Sequence, residues 1–376
     1  MILKIICGLI ILGIIVFIHE TGHFLAAVVC GVKVEAFSVG MGPVLLHKKI
    51  RGIDWRLSLL PLGGYCSMKG ENDLNDAYEN GETKVFADKD SLYGVHPFKR
   101  ALIAFAGPFF NLLLTFFSFF VVALAGYSYW SASSKIILAN ELYPEVESAA
   151  AEAGLKTGDE IIQINSEKIS DFSQLYNFIA VHGDEDLAVK VLRSGEELLF
   201  TVHTKVDTNT GAGKLGVASD SSTVEKREAE RYGFFGAIGQ GAQQTFKMFT
   251  ASIRGIQSLF KGVKITEAVS GPASITTMLG ETVAQSFKTD FRTGLSSILR
   301  FVALISISLF IMNLLPVPVL DGGLLLFSLI EGIFRIQISP KIRYVVQYIG
   351  LAFIAFLFVI AIIGDFNYFL RLFNEK

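Results

Sequence analysis

Charge is scarce in this chain. Of its 376 residues, 18% are Asp, Glu, Lys or Arg, while 51% are hydrophobic and 32 are phenylalanine. So little charge beside so much apolar surface excludes an ordinary soluble domain and points to several membrane spans around a soluble insert. An excess of positive charge is also lacking. The 33 basic and 35 acidic residues leave a net charge of −2, so no nucleic-acid partner is expected. Cysteine is nearly absent, with three residues in all. Cys7 and Cys30 fall at opposite ends of one expected helix, roughly 35 Å apart at 1.5 Å per residue, and Cys66 has no obvious partner. Neither a disulfide framework nor a Cys-x-x-Cys metal pair is implied. No segment repeats.

Histidine is rare too, with six residues, yet two of them stand four apart inside an apolar run. The stretch is Ile15-Val16-Phe17-Ile18-His19-Glu20-Thr21-Gly22-His23-Phe24. On a helix, His19 and His23 share one face and reach one metal ion. Glu20 is offset from them and faces a water beside that metal. Ionisable groups in a membrane-length segment are costly unless they serve a function. Met1 to Cys30 reads as a span rather than a signal peptide: the apolar run is too long, the polar motif lies inside it, and no Ala-x-Ala site follows. With the helix ending near Gly31, both histidines lie roughly 12–18 Å from that end, inside the membrane.

Further along, Val34 to His47 and Ile53 to Leu60 look extended, with Arg51-Gly52 as the turn between them. A β-hairpin tucked against or into the membrane is expected. Its open Val34–Pro43 edge is a template for an added peptide strand, or else the hairpin is a surface feature without a ligand. Residues from Gly70 to Asp90 read as a solvated loop. Ala101 to Trp130 is a second span, opened by Lys99 and Arg100 on the cytoplasmic side. It contains Gly107, Pro108 and Asn111. The proline kinks the helix, and Asn111 is either a contact between helices or part of the site.

Residues 131–206 form a soluble insert with strand, helix and strand signals. Residues 207–231 read as a polar connector. A helical stripe follows through Phe235, Ile238, Ala242, Phe246, Phe249, Ile253, Ile256 and Phe260, with Gln243, Lys247, Arg254, Gln257 and Lys261 opposite. That helix lies on the membrane or packs against the spans. Leu295 to Leu315 is a third span. It ends at Asn313-Leu-Leu-Pro316-Val-Pro318-Val-Leu-Asp321-Gly322, where two prolines force extended backbone. Asp-Gly alone is an ordinary turn, but the histidines still need a third ligand. Tyr344 to Leu370 is a fourth span.

The fold class is therefore a polytopic α-helical membrane protein of about four spans, with a membrane-associated β-hairpin and one inserted β-rich domain. The expected divisions are 1–130, 131–206, 207–290 and 291–376. Four spans put both termini and the insert on one side, extracytoplasmic, and the loops with Lys48, Lys49, Arg51, Lys341 and Arg343 on the cytoplasmic side.

These pieces together resemble the site-2 protease family of intramembrane zinc metalloproteases, in its bacterial RseP-type branch. The matching residues are His19-Glu20-Thr21-Gly22-His23; Gly40-Met41-Gly42-Pro43; Pro61-Leu62-Gly63-Gly64-Tyr65 with Met68 and Glu71; Gly107-Pro108-x-x-Asn111; Gly271-Pro272; and Asn313-x-x-Pro316-x-Pro318-x-Leu320-Asp321-Gly322. The insert resembles a bacterial PDZ domain through Ala153-Gly154-Leu155-Lys156-Thr157-Gly158-Asp159, with Ile161-Ile162-x-Ile164-Asn165 after it. Several members of that branch carry two such domains, whereas the resemblance extends to one segment here.

The resemblance implies one Zn2+ held by His19, His23 and Asp321, with Glu20 activating water. It implies that Asn313, Pro316, Pro318 and the Gly40–Gly42 strand contact substrate, with Gly107, Pro108 and Asn111 in supporting roles. The implied location is the bacterial cytoplasmic (inner) membrane. The implied substrates are single-span membrane proteins such as anti-sigma factors, or remnant signal peptides, in regulated proteolysis. The PDZ-like groove takes a peptide or C-terminus, or acts as a size filter. Two other classes stay open. One is a non-catalytic PDZ-bearing membrane adaptor with a structural metal of four protein ligands. The other is a metal transporter using the same ligands, which would need a polar path through spans in which charged residues are sparse.

Overall fold

The computed structural model describes residues 2–374 apart from 208–210, 259–270 and 288–289. Two compact units emerge. The first holds residues 1–124, 233–245 and 271–365; the second holds 125–232, 246–270 and 366–376.

The first unit contains helices long and apolar enough to cross a membrane. Among the described residues there are four such spans: Gly8–Cys30, Pro97–Ala125, Phe291–Asn313 and Pro340–Leu370. They belong to α1 (Ile2–Cys30), α3 (Pro97–Ala125), α9 (Phe291–Asn313) and α11 (Pro340–Asn374). The second span starts earlier than expected and stops sooner. Pro97 suits a first helical position, where its missing N–H costs nothing. Gly126, at φ +64°, turns the chain out before Trp130. Asp290 caps α9 by accepting the Thr293 N–H at 2.9 Å.

Between α1 and α3 run β1 (Val34–Ile50) and β2 (Ile53–Met68), joined through the turn at Arg51 and Gly52 and followed by the short α2 (Asp73–Glu79). Their register is broken in the middle. The segment Ala36–Val39 is matched on one side with Gly64–Ser67 and on the other with Asp54–Leu57. Leu46–Ile50 is matched with Ile53–Leu57. Gly40 and Gly42 have φ of +88° and +83°, which suits glycine and lets β1 double back. This corrects the expected open edge at Val34–Pro43. Ala36–Val39 has a neighbour on each side, and the outer edges are Leu46–Ile50 and Gly64–Met68. No other strand joins this sheet among the described residues. Phe37 anchors it to α1, 5.7 Å from Phe17 and 5.5 Å from Phe24 between ring centroids.

Further on come α7 (Phe234–Ser258), α8 (Pro272–Ser286) and α10 (Asp321–Phe334). The helix expected over the Phe235 stripe is α7. Phe260 and Lys261 of that stripe lie outside the described residues. α8 lies along α1, where a Cβ on Gly8 would stand 2.8 Å from the Thr276 carbonyl oxygen. Its first turn is capped from α11, where the Asp365 carboxylate accepts the Ala273 and Ser274 N–H groups at 3.1 and 2.9 Å.

The second unit is β-rich, and it opens with β3 (Ser128–Ser131), β4 (Ile136–Leu138) and two single-turn helices, α4 (Ala139–Leu142) and α5 (Ala149–Glu152). A four-stranded sheet runs in the order β6 (Glu167–Lys168), β5 (Glu160–Ile164), β7 (Asp186–Arg193), β8 (Glu196–His203). With α6 (Phe172–Ala180) it closes over a core including Ile161, Ile164, Leu175, Val189 and Val202. The stretch expected to be a polar connector contributes strands instead. Val217–Ser219 pairs with Ile136–Leu138, and Glu225–Glu228 pairs with Ser128–Ser131. These strands are only three or four residues long, too short to show a sequence period.

Candidate metal centre

Three side chains from two distant stretches converge in the first unit. His19 Nε2 stands 3.2 Å from Asp321 Oδ2, and His23 Nε2 stands 3.3 Å from Asp321 Oδ1. The two Nε2 atoms are 3.2 Å apart. The α-helical spacing of four places both imidazoles on one face of α1. Asp321 is the first residue of α10, just past the Pro316–Pro318 break. Gly322 and Gly323 let that first turn settle on the preceding loop. A Cβ at Gly322 would lie 2.2 Å from the Leu315 oxygen, and one at Gly323 would lie 2.5 Å from Pro318 Cα.

The set fits zinc. Nitrogen and oxygen ligands sit about 2.0–2.2 Å from zinc in a tetrahedron, which puts neighbouring ligand atoms roughly 3.3–3.6 Å apart. The three distances observed here approach that spacing. The outer nitrogens agree with it. His23 Nδ1 is 2.8 Å from the Ile103 carbonyl oxygen, which can only accept. Nδ1 therefore carries the hydrogen, and Nε2 offers its lone pair to the cluster. His19 Nδ1 lies 3.0 Å from the side-chain amide of Asn111. Asn111 is fully buried, and in this orientation its Oδ1 has no hydrogen-bond partner. The two orientations of such an amide are alike in shape. Turned by 180°, Oδ1 accepts the His19 Nδ1–H, and Nε2 is again free for a metal.

α3 organises this support with one face. Ile103, Gly107 and Asn111 are four residues apart, one above the other. Gly107 is where α3 crosses the motif: a Cβ there would lie 2.1 Å from His23 Nε2. On the α1 side, a Cβ at Gly22 would lie 2.4 Å from the Ala106 oxygen. Small residues bring the two backbones together. Pro108 beside them removes one helix hydrogen bond. Ser306 of α9 steadies the helix by donating to the Asn111 carbonyl at 2.9 Å.

Glu20 stands one residue on from His19, half-buried. Gly64 of β2 lies against it: a Cβ at Gly64 would be 3.3 Å from Glu20 Cγ. The Cys66 backbone N–H faces the same carboxylate. The outer Gly64–Met68 edge of the sheet thus passes the candidate base. Sequence reasoning counted Gly64 in a motif but gave it no role, and nothing in the residue pattern marks Ile103, which acts through its backbone. Gly40, Met41 and Gly42 lie where β1 doubles back, with Met41 over Gly63. Asn313 ends α9, and Pro316 and Pro318 lie in the loop leading to Asp321.

Chemically, this is two imidazoles, a carboxylate and a nearby second carboxylate, all in apolar helices. Comparison with known proteins finds zinc metalloprotease relatives over nearly the whole chain. The profile of peptidase family M50 matches residues 7–357. A Treponema pallidum protein named "Putative zinc metalloprotease" is 33% identical, over 97% of this chain and 99% of its own. A relative with that description in Campylobacter jejuni is 33% identical over 95% of this chain and 91% of its own. One in Bartonella henselae is 30% identical over 94% and 98%.

Proposed function

This chain belongs to peptidase family M50, the site-2 protease family, and on that premise we propose that it cuts peptide bonds within the transmembrane segments of single-span proteins. It is a metalloprotease and a multi-pass membrane protein. The observation that carries the proposal is the convergence of His19, His23 and Asp321, whose ligand atoms lie within 4.8 Å of one another, beside Glu20 in an apolar helix. Among the described residues this group has three members. That is the open arrangement of a catalytic zinc, whereas a structural zinc is closed by four protein ligands. This favours an enzyme over an adaptor.

We assign one zinc ion to the site. Bound there, zinc supplies Lewis acidity, making water a nucleophile near neutral pH and polarising a carbonyl. The chain's own residues do the rest. Glu20 takes the proton from the attacking water and returns it to the leaving amine. Asn313 donates to the developing oxyanion, a contact worth about 3–4 kcal/mol in other enzymes. A helical substrate hides its carbonyls in its own hydrogen bonds, so it must unwind before the cut. Strand addition to the Gly64–Met68 edge replaces those bonds and draws the substrate past Glu20. Gly40, Met41, Gly42, Pro316 and Pro318 line its path. We read the second unit as PDZ-like, on the extracytoplasmic side of a bacterial inner membrane with both termini, where it takes a chain end or excludes bulky substrates. Anti-sigma factors and remnant signal peptides are the substrate classes in view.

The test is cleavage of a generic transmembrane segment by the purified protein in detergent, with zinc measured in the same samples. Glu20→Gln should keep its zinc and lose cleavage by about 10²–10⁴-fold, and Asp321→Ala should lose zinc. Wild-type cleavage by Glu20→Gln would sink the assignment, as would undiminished zinc in Asp321→Ala.

A further inference from the structure

Away from the metal ligands, the first unit buries a second set of charges. Arg100, Glu331 and Arg343 are 4%, 3% and 3% exposed. Arg100 belongs to the first turn of α3, Glu331 to the end of α10 and Arg343 to the first turn of α11. Arg100 Nη2 donates to Glu331 Oε2 at 2.6 Å, and Arg343 pairs with Oε1. The Ile338 N–H also donates to Oε1, at 2.9 Å. The Tyr93 ring lies under both guanidiniums, 5.0 Å from one and 5.4 Å from the other.

Such a triad is an expensive way to hold helices together. Apolar residues of like volume often stabilise as well or better, and the best-attested use of buried ion groups is to fix register. The register here has a consequence. α10 is only 14 residues long. It follows a proline-broken loop and ends at Arg335 in the left-handed region, φ 54°. Neither end is continued by helix, so its position depends on lateral contacts.

One of these is the bond from Arg100 Nε to Ser328 Oγ, at 3.1 Å. Ser328 is seven residues after Asp321, two turns along nearly the same face. Gly107 is seven residues after Arg100, two turns along the facing helix. The pairs Arg100–Ser328 and Gly107–Asp321 therefore stand about 10 Å apart along both helices, at 1.5 Å per residue. His23 lies between the second pair. A slip of α10 against α3 at the triad moves Asp321 relative to both imidazoles by the same amount.

We propose that Arg100, Glu331 and Arg343, with Ser328, form the positioning device of the metal site: they set the register of α10 against α3 and so place the Asp321 carboxylate. The proposal rests on reading His19, His23 and Asp321 as the metal ligands. Arg100 and Glu331 are positioning residues and touch neither metal nor substrate.

The full-length protein in detergent tests this with Zn2+ affinity by chelator competition, the visible spectrum of the Co2+-loaded protein, and thermal unfolding. Glu331→Gln should weaken zinc binding about 10- to 100-fold, as lost outer support does at other zinc sites, and shift the Co2+ bands. Arg100→Lys, which keeps the charge and loses the fork, should fall between it and wild type. A lower unfolding temperature in Glu331→Gln with wild-type zinc affinity and Co2+ spectrum would overturn the proposal. If Glu331→Gln does not fold, Ser328→Ala carries the same two outcomes. Equal zinc affinity in wild type and Asp321→Ala would instead overturn the metal-site reading beneath it.

Discussion

Gly107 and His23 are in contact such that no side chain fits between them. A Cβ on Gly107 would stand 2.1 Å from His23 Nε2, the atom aimed at Asp321. The glycine is therefore part of the candidate metal site's shape, although it contributes no ligand atom.

Gly107→Ala should push His23 out of the ligand set. Overpacking of this kind costs about 1–3 kcal/mol in other proteins, and zinc affinity should fall about 10-fold or more. Titration of the purified variant with zinc against a chromophoric chelator measures it. Wild-type affinity would mean that the α1–α3 crossing relaxes freely.

Asn111 should act through its acceptor oxygen. Asn111→Asp keeps an acceptor for His19 Nδ1–H and should hold zinc at least as firmly. Asn111→Leu removes it and should weaken zinc about 10- to 100-fold. Metal content after dialysis at a fixed free zinc level separates the two. Equal loss in both variants would show that only the amide's shape matters.

Acid should loosen the second unit through Asp159. Burial favours its protonated form, but the Arg193 guanidinium, at 2.7 Å, and the Lys156 N–H, at 2.8 Å, outweigh that and hold the carboxyl below its ordinary value. A lowered folded value means the stabilisation is complete above the unfolded pKa, about 3.9. It is lost as pH falls through the folded value. Pepsin digestion of the full-length protein, followed from pH 5 to 2, should show the region around residues 134–204 becoming sensitive below about pH 4. Asp159→Asn should be sensitive already at pH 5. An unchanged profile in Asp159→Asn would remove this ion pair from the acid response.

Much of this was legible in the residues because it is local. The spacing of His19, Glu20 and His23 follows from one helical period. The four spans follow from long apolar runs, and the break before Asp321 follows from two prolines. The edge that faces Glu20 was not legible. β1 and β2 read as two plain strands, and only Gly40 and Gly42 allow β1 to double back. The free edge thereby passed from Val34–Pro43 to Gly64–Met68. The short strands between 205 and 228 were hidden for a related reason, since each is meaningful only through its distant partner.

By itself, the sequence singled out two candidate ligands, a candidate base, and a membrane segment in which such groups are costly unless they serve a function. Their helical geometry depends on neighbours four residues away, and periodicity encodes it. Only the tertiary structure decided how the site closes. Asp321 meets His19 and His23 from nearly three hundred residues further on. The Ile103 carbonyl, which sets the tautomer of His23, carries no side-chain signature. Arg100 and Glu331 look in sequence like ordinary flanking charges and become a buried pair only when α3 and α10 pack. Contacts of this kind depend on how helices stack against one another, and that is a property of the whole fold.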